Sequence, residues 1–116
     1  MAPIERHIEE FLRDFKQKKK VYQILFRDDR GKNQQTLLDL EITPSKREEV
    51  IDSIKVADYV EGPIKECLYN GADMWIFGKQ VKGREIYIKI TMGDPGKSVI
   101  CISFHIAERN LSYPFK

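Results

Sequence analysis

Three apolar-rich segments near the C-terminus, "MWIFGKQV", "REIYIKITM" and "SVICISFHI", are joined by connections too short for a crossover. Lys82-Gly83 separates the first two, and "GDPGK" links the second to the third. Links this short join neighbours running in opposite directions, so the chain must contain an antiparallel meander. Strand side chains alternate between faces. In the middle segment Ile86, Ile88 and Ile90 share one face, and Tyr87, Lys89 and Thr91 share the other. A face made wholly of isoleucine needs a covering layer.

The first half of the chain supplies helices for it. From residue 3 to about 18, Ile4, Ile8, Phe11, Leu12 and Phe15 recur at helical spacing. Pro3 suits the first turn, and early acids with a late lysine run (Lys16, Lys18, Lys19, Lys20) complement the helix dipole. The lysine run reads as a solvated helix end. "VYQILFRD" is a short strand candidate, and "NQQTLLDLEI" a short helix, or a helix plus turn. In "TPSKREEVIDSI", Thr43 is a natural N-cap, Pro44 occupies the first helical position, and Val50, Ile51 and Ile54 should pack on the sheet. "ADYVEGPIKECLYNGAD", punctuated by Gly62, Pro63 and Gly71, reads as loop. The tail "AERNLSYPFK" should dock irregularly. The expectation is one α+β domain over residues 1–116, helical over about 1–62 and sheet over about 73–107. The N-terminal helices should pack on one face of an antiparallel β-sheet.

At 41% hydrophobic and 33% charged, the 116-residue chain suits a folded protein rather than a disordered one. Its net charge of +2 is uneven: residues 1–62 carry −1 and residues 63–116 carry +3. Lys79, Lys82, Arg84, Lys89 and Lys97 outnumber Glu85 and Asp94 in the meander, a bias that a phosphate backbone can use. Charges in "MAPIERHIEE" argue against a signal peptide, and no apolar run approaches a membrane span. Cys67 and Cys101, with no CxxC, are expected to be reduced in a cytoplasmic protein. Neither a metal nor a cofactor is expected.

Alternation in the last strand assigns Ile100, Ile102, Phe104 and Ile106 to the core, and Val99, Cys101, Ser103 and His105 to the opposite face. Cross-strand neighbours lie about 5 Å apart, so Tyr87, Lys89, Ser103 and His105 should converge. These residue types suit metal-free RNA cleavage, in which a ribose 2′-hydroxyl attacks the adjacent phosphate. Histidine exchanges protons near neutrality, lysine balances charge on the phosphorane, and tyrosine donates to its oxygens. The rival reading of the same face is a non-catalytic RNA-binding or protein-interaction module. There is no GxGxxG or P-loop, and Ser103 two residues from His105 on one strand makes a poor serine triad. His7 and the acids Glu48, Glu49 and Asp52 read as surface residues, and Trp75 as packing.

Taken together, "DYVEGP", "MWIFGK", "GREIYIKI" and "CISFH" resemble the motility quorum-sensing regulator family of bacterial toxins, the toxin half of a type II toxin–antitoxin module. "LEIT" (Leu40 to Thr43) is similar to the family's text ahead of the sheet. The resemblance implies a RelE-like α+β fold and a metal-independent endoribonuclease that cleaves messenger RNA, with a preference for short GC-containing sites. It also implies a cognate antitoxin as partner. The family's catalytic tyrosine falls on Tyr87, its following lysine on Lys89, and the basic residue after "SF" on His105. Three positions depart from the pattern. Histidine replaces lysine at His105, a loop lysine aligns near Glu61 with Lys65 the nearest substitute, and a glutamine aligns with Ile76. Glu61 is a candidate general base in the loop ahead of the sheet. Lys79, Lys82, Arg84, Lys97 and Ser103 are candidate substrate-binding residues.

Overall fold

The structure, a computed structural model, describes residues 5–28, 31–65 and 72–116. Pro3, Ile4, Cys67 and Gly71 lie outside the described residues. The elements run α1 (Glu5–Tyr22), β1 (Ile24–Phe26), α2 (Lys32–Leu40), α3 (Pro44–Asp52), a short 3-10 turn (Val56–Asp58), β2 (Tyr59–Ile64), β3 (Met74–Val81), β4 (Arg84–Thr91) and β5 (Val99–Ile106). Among the described residues they build an α+β fold, with the sheet in the order β1-β5-β4-β3-β2.

The meander forms as its turns require. Lys82 and Gly83 both take positive φ, the geometry of a tight two-residue hairpin turn, and Val81 pairs with Arg84. Two features depart from the expected all-antiparallel sheet. β1 joins the edge parallel to β5, Ile24 to Phe26 matching Val99 to Cys101, so the sheet is mixed. The segment read as loop contains β2, which pairs antiparallel with β3. Gly62 and Pro63 masked it: both disfavour strands, but β2 is an edge strand, where a missing ladder donor is tolerated.

The core lies between the isoleucine face and the helices. Ile8, Phe11, Leu12 and Phe15 of α1 and Val50 and Ile51 of α3 are buried with Ile86, Ile88 and Ile90. Phe11 stacks on Trp75 with ring centroids 4.7 Å apart, so Trp75 is core packing. Thr43 caps α3, its hydroxyl accepting from Lys46 N at 3.0 Å. The lysine run at the end of α1 is tied down rather than simply solvated: Lys16 Nζ donates to Ile54 O at 2.7 Å, and Lys19 pairs with Glu48 at 2.9 Å. Arg47 is buried on α3, forked onto Asp28 at 3.1 and 3.2 Å with its guanidinium 3.6 Å over the Phe26 ring.

The alternation expected for β5 fails halfway along. Val99 and Cys101 are fully buried, whereas Ile100 and Ile102 are half-exposed. Lys89 pairs with Ser103, but the next residue, Ile90, pairs with Cys101, leaving Ile102 as the extra residue of a β-bulge. The bulge reverses parity: Val99 and Cys101 join the core before it, and Phe104 after it. Asn33, buried on α2, holds this irregular backbone. Its Oδ1 accepts from Phe104 N at 2.9 Å, and its Nδ2 donates to Ile102 O at 3.2 Å and Arg27 O at 2.9 Å.

Candidate functional site

On the sheet face away from the core, the ladder fixes a small lattice of side chains. Tyr87 lies opposite His105 and Lys89 opposite Ser103 between β4 and β5. On the other side of β4, Gly78 matches Tyr87 and Ile76 matches Lys89, and Glu61 of β2 matches Ile76. Glu61 reaches this face through another irregularity. In a regular strand Tyr59 and Glu61 would share a face, but the register slips between them, so Tyr59 enters the core while Glu61 stays exposed.

Glu61, Tyr87, Lys89, Ser103 and His105 all line one groove of about 850 Å³. Its other wall is residues 108–112 of the C-terminal tail. The tail crosses the sheet face as a strap anchored on Glu85. Leu111 N donates to Glu85 Oε1 at 3.1 Å and Tyr113 Oη to Glu85 Oε2 at 2.8 Å. It lies so close over β3 that a Cβ at Gly78 would run into Tyr113 Oη and Leu111 Cδ1. Glycine at 78 is therefore a requirement of the strap, not of the strand.

Within the groove the Tyr87 and His105 rings stack, centroids 5.1 Å apart and 16° from parallel. Lys89 Nζ is 5.9 Å from the Tyr87 ring centroid. His105 Nδ1 lies 3.0 Å from Ile106 O, and since a carbonyl can only accept, Nδ1 is the donor in this contact, which leaves Nε2 out of it. His105 also borders a shallower depression of about 430 Å³ against α2. Burial, and then the charge of Glu61, push the Tyr87 hydroxyl above its ordinary value, with Arg109 opposing. Tyr87 thus stays protonated near neutrality and can donate a hydrogen bond rather than act as a base.

The other candidate residues lie elsewhere. Lys79 matches Ile86, projects to the helix side and pairs with Asp58 at 3.1 Å. Lys82 donates to Glu41 O at 3.2 Å from the β3–β4 turn. Arg84, exposed, pairs across the ladder with buried Val81, and Lys97 lies in the turn before β5. None of the four lines the groove. The sequence reading missed Arg109 and its neighbours on the strap, because an irregular tail has no periodicity to say which surface it covers. The apolar residues Leu111, Tyr113 and Phe115 did signal that the tail docks, but not on which surface.

Among the described residues no three His, Cys, Asp or Glu side chains gather as metal ligands, and no helix is long and apolar enough to cross a membrane. No protein-family model, curated protein or solved structure matches the chain.

Proposed function

We propose that this chain is a metal-independent endoribonuclease acting on messenger RNA, the toxin component of a type II toxin–antitoxin module. The observation that carries the reading is the gathering of Glu61, Tyr87, Lys89 and His105 around one open groove. In-line attack on a phosphodiester needs proton-transfer groups on opposite sides of the phosphorus, and charge stabilisation between them. Glu61 on β2 and His105 on β5 flank Tyr87 and Lys89 on β4. With strands about 4.8 Å apart, the outer pair is about 14 Å apart at the backbone, which leaves room for a phosphate between side chains that reach inward.

In this mechanism the Glu61 carboxylate takes the proton of the ribose 2′-hydroxyl. The 2′-oxygen forms its bond to phosphorus as the bond to the 5′-oxygen breaks. His105, protonated at Nε2, gives its proton to the departing 5′-oxygen. Lys89 balances the phosphorane charge, and the protonated Tyr87 hydroxyl donates to a non-bridging oxygen. Ser103 binds substrate beside Lys89. The products are a 2′,3′-cyclic phosphate and a 5′-hydroxyl. The resemblance to the toxin family adds the biological setting: a cytoplasmic enzyme restrained by a cognate antitoxin, which arrests growth when produced alone.

The test is cleavage of a long single-stranded RNA in EDTA by the wild type and by His105→Ala. The reading expects cleavage that survives chelation, leaves cyclic phosphate ends and falls at least about a hundredfold in the variant, as loss of one acid–base group should. Equal cutting by both proteins removes His105 from the chemistry. RNA that both leave intact, yet bind, turns the groove into a recognition surface.

A further inference from the structure

The strap contributes a residue that the scheme above does not use. It leaves β5 with Ala107 N bonded to Glu85 O at 2.8 Å and returns to the same residue when Leu111 N meets the Glu85 carboxylate at 3.1 Å. Between these anchors residues 108–110 bow outward, exposed, along the groove wall. Glu108 is occupied, its carboxylate 2.6 Å from Lys32 Nζ. Arg109 makes no hydrogen bond or ion pair among the described residues, although it faces the groove. Lys89, on the sheet floor, likewise makes no ion pair among the described residues, although Glu61 lines the same groove. Two cations without an ion pair among the described residues thus look onto one space, which Glu61 also borders, one from a strand and one from a strap pinned at both ends. A guanidinium presents a planar fork that matches two phosphate oxygens, which an ammonium cannot.

We propose that Arg109 is a substrate-binding residue that grips a backbone phosphate of single-stranded RNA from the strap, holding it against Lys89 on the sheet. The inference takes the identity of the polymer from the ribonuclease reading, but its phosphate chemistry stands apart from catalysis. It explains why Glu85 and Gly78 fix the tail so closely: the strap must hold Arg109 at a set height above β4.

The experiment measures binding of a fluorescent 2′-O-methyl oligonucleotide, which has no free 2′-hydroxyl and cannot be cut, across a salt series. Wild type, Arg109→Ala, Arg109→Lys and the distant Arg6→Ala are compared, with RNA cleavage measured alongside. Arg109→Ala should weaken binding about tenfold, the equivalent of one charge-assisted contact. It should also flatten the plot of log affinity against log salt by about 0.7, one phosphate contact on a single strand. Arg109→Lys should recover the slope without the full affinity, and Arg6→Ala should match wild type. Unchanged affinity and slope in Arg109→Ala overturn the inference, even if the wild type cleaves RNA as proposed. A wild type that binds with the expected Arg109 dependence but never cleaves leaves Arg109 assigned and overturns the nuclease reading. A wild type that neither binds nor cleaves overturns both.

Discussion

Replacing Asn33 with alanine tests the bond between fold and site most directly. The side chain is 5% exposed and holds three backbone groups from two other segments. In Asn33→Ala the buried Phe104 N–H loses its acceptor, a loss of about 1–3 kcal/mol for an unsatisfied buried donor. The Arg27 and Ile102 carbonyls lose a donor each, about 0.5–1 kcal/mol apiece because each keeps a second lone pair. The better helix propensity of alanine on α2 returns about 0.5 kcal/mol. The net expectation is a loss of about 3 kcal/mol, read from urea unfolding, and a Tm lower by about 10 °C for a chain of this size. Asn33→Asp keeps the size and the acceptor of Phe104 N–H, but its carboxylate cannot donate to the two carbonyls. At neutral pH it should be at least as damaging as alanine, and acid should partly restore it as the carboxyl gains a proton. Because the bulge sets the parity of Ser103 and His105, folded Asn33→Ala should also cleave RNA more slowly. A loss under about 0.5 kcal/mol, or an aspartate variant as stable as wild type at neutral pH, would refute the claim that Asn33 holds the bulge.

Asp28→Asn should cost about 3 kcal/mol in chemical denaturation, since it leaves the buried Arg47 guanidinium without its carboxylate, and adding Arg47→Met should recover most of that. Stability should hold below pH 9 and fall above it, measured by thermal unfolding across the alkaline range. Burial raises the Cys101 thiol above its ordinary 9.0, and burial with the Glu85 bond raises Tyr113 above 10.0. The unfolded chain therefore releases protons that the folded chain keeps, and unfolding gains as pH rises. Tyr113→Phe should soften the decline above pH 10. Gly78→Ala should lift the strap without unfolding the sheet: hydrogen exchange at the Leu111 amide should quicken, and oligonucleotide affinity should fall as in Arg109→Ala. An amide as protected as in wild type would show that the strap does not rest on Gly78.

The parts of this protein legible in its sequence are those governed by neighbours in the chain. The turn at Lys82-Gly83, the cap at Thr43 and Pro44, and the isoleucine face of β4 each follow from residues a few positions apart, where backbone sterics and periodicity act alone. The pairing of Tyr87 with His105 and of Lys89 with Ser103 was within reach for the same reason, because both pairs lie beyond the bulge in strands of regular alternation. Alternation misassigned Val99 and Cys101, since one inserted residue exchanges the faces of everything on its far side. What inserts that residue is a contact with Asn33, 71 positions from Phe104 in the chain. The parallel seating of β1, the strand at β2 and the strap over Gly78 are likewise decided by partners distant in sequence, with Glu85 and Tyr113 28 positions apart. Local rules give each segment its shape and its apolar face. Only the closed tertiary structure, in which every buried backbone group must find a partner, decides where alternation breaks and which charged side chains are left facing an open groove.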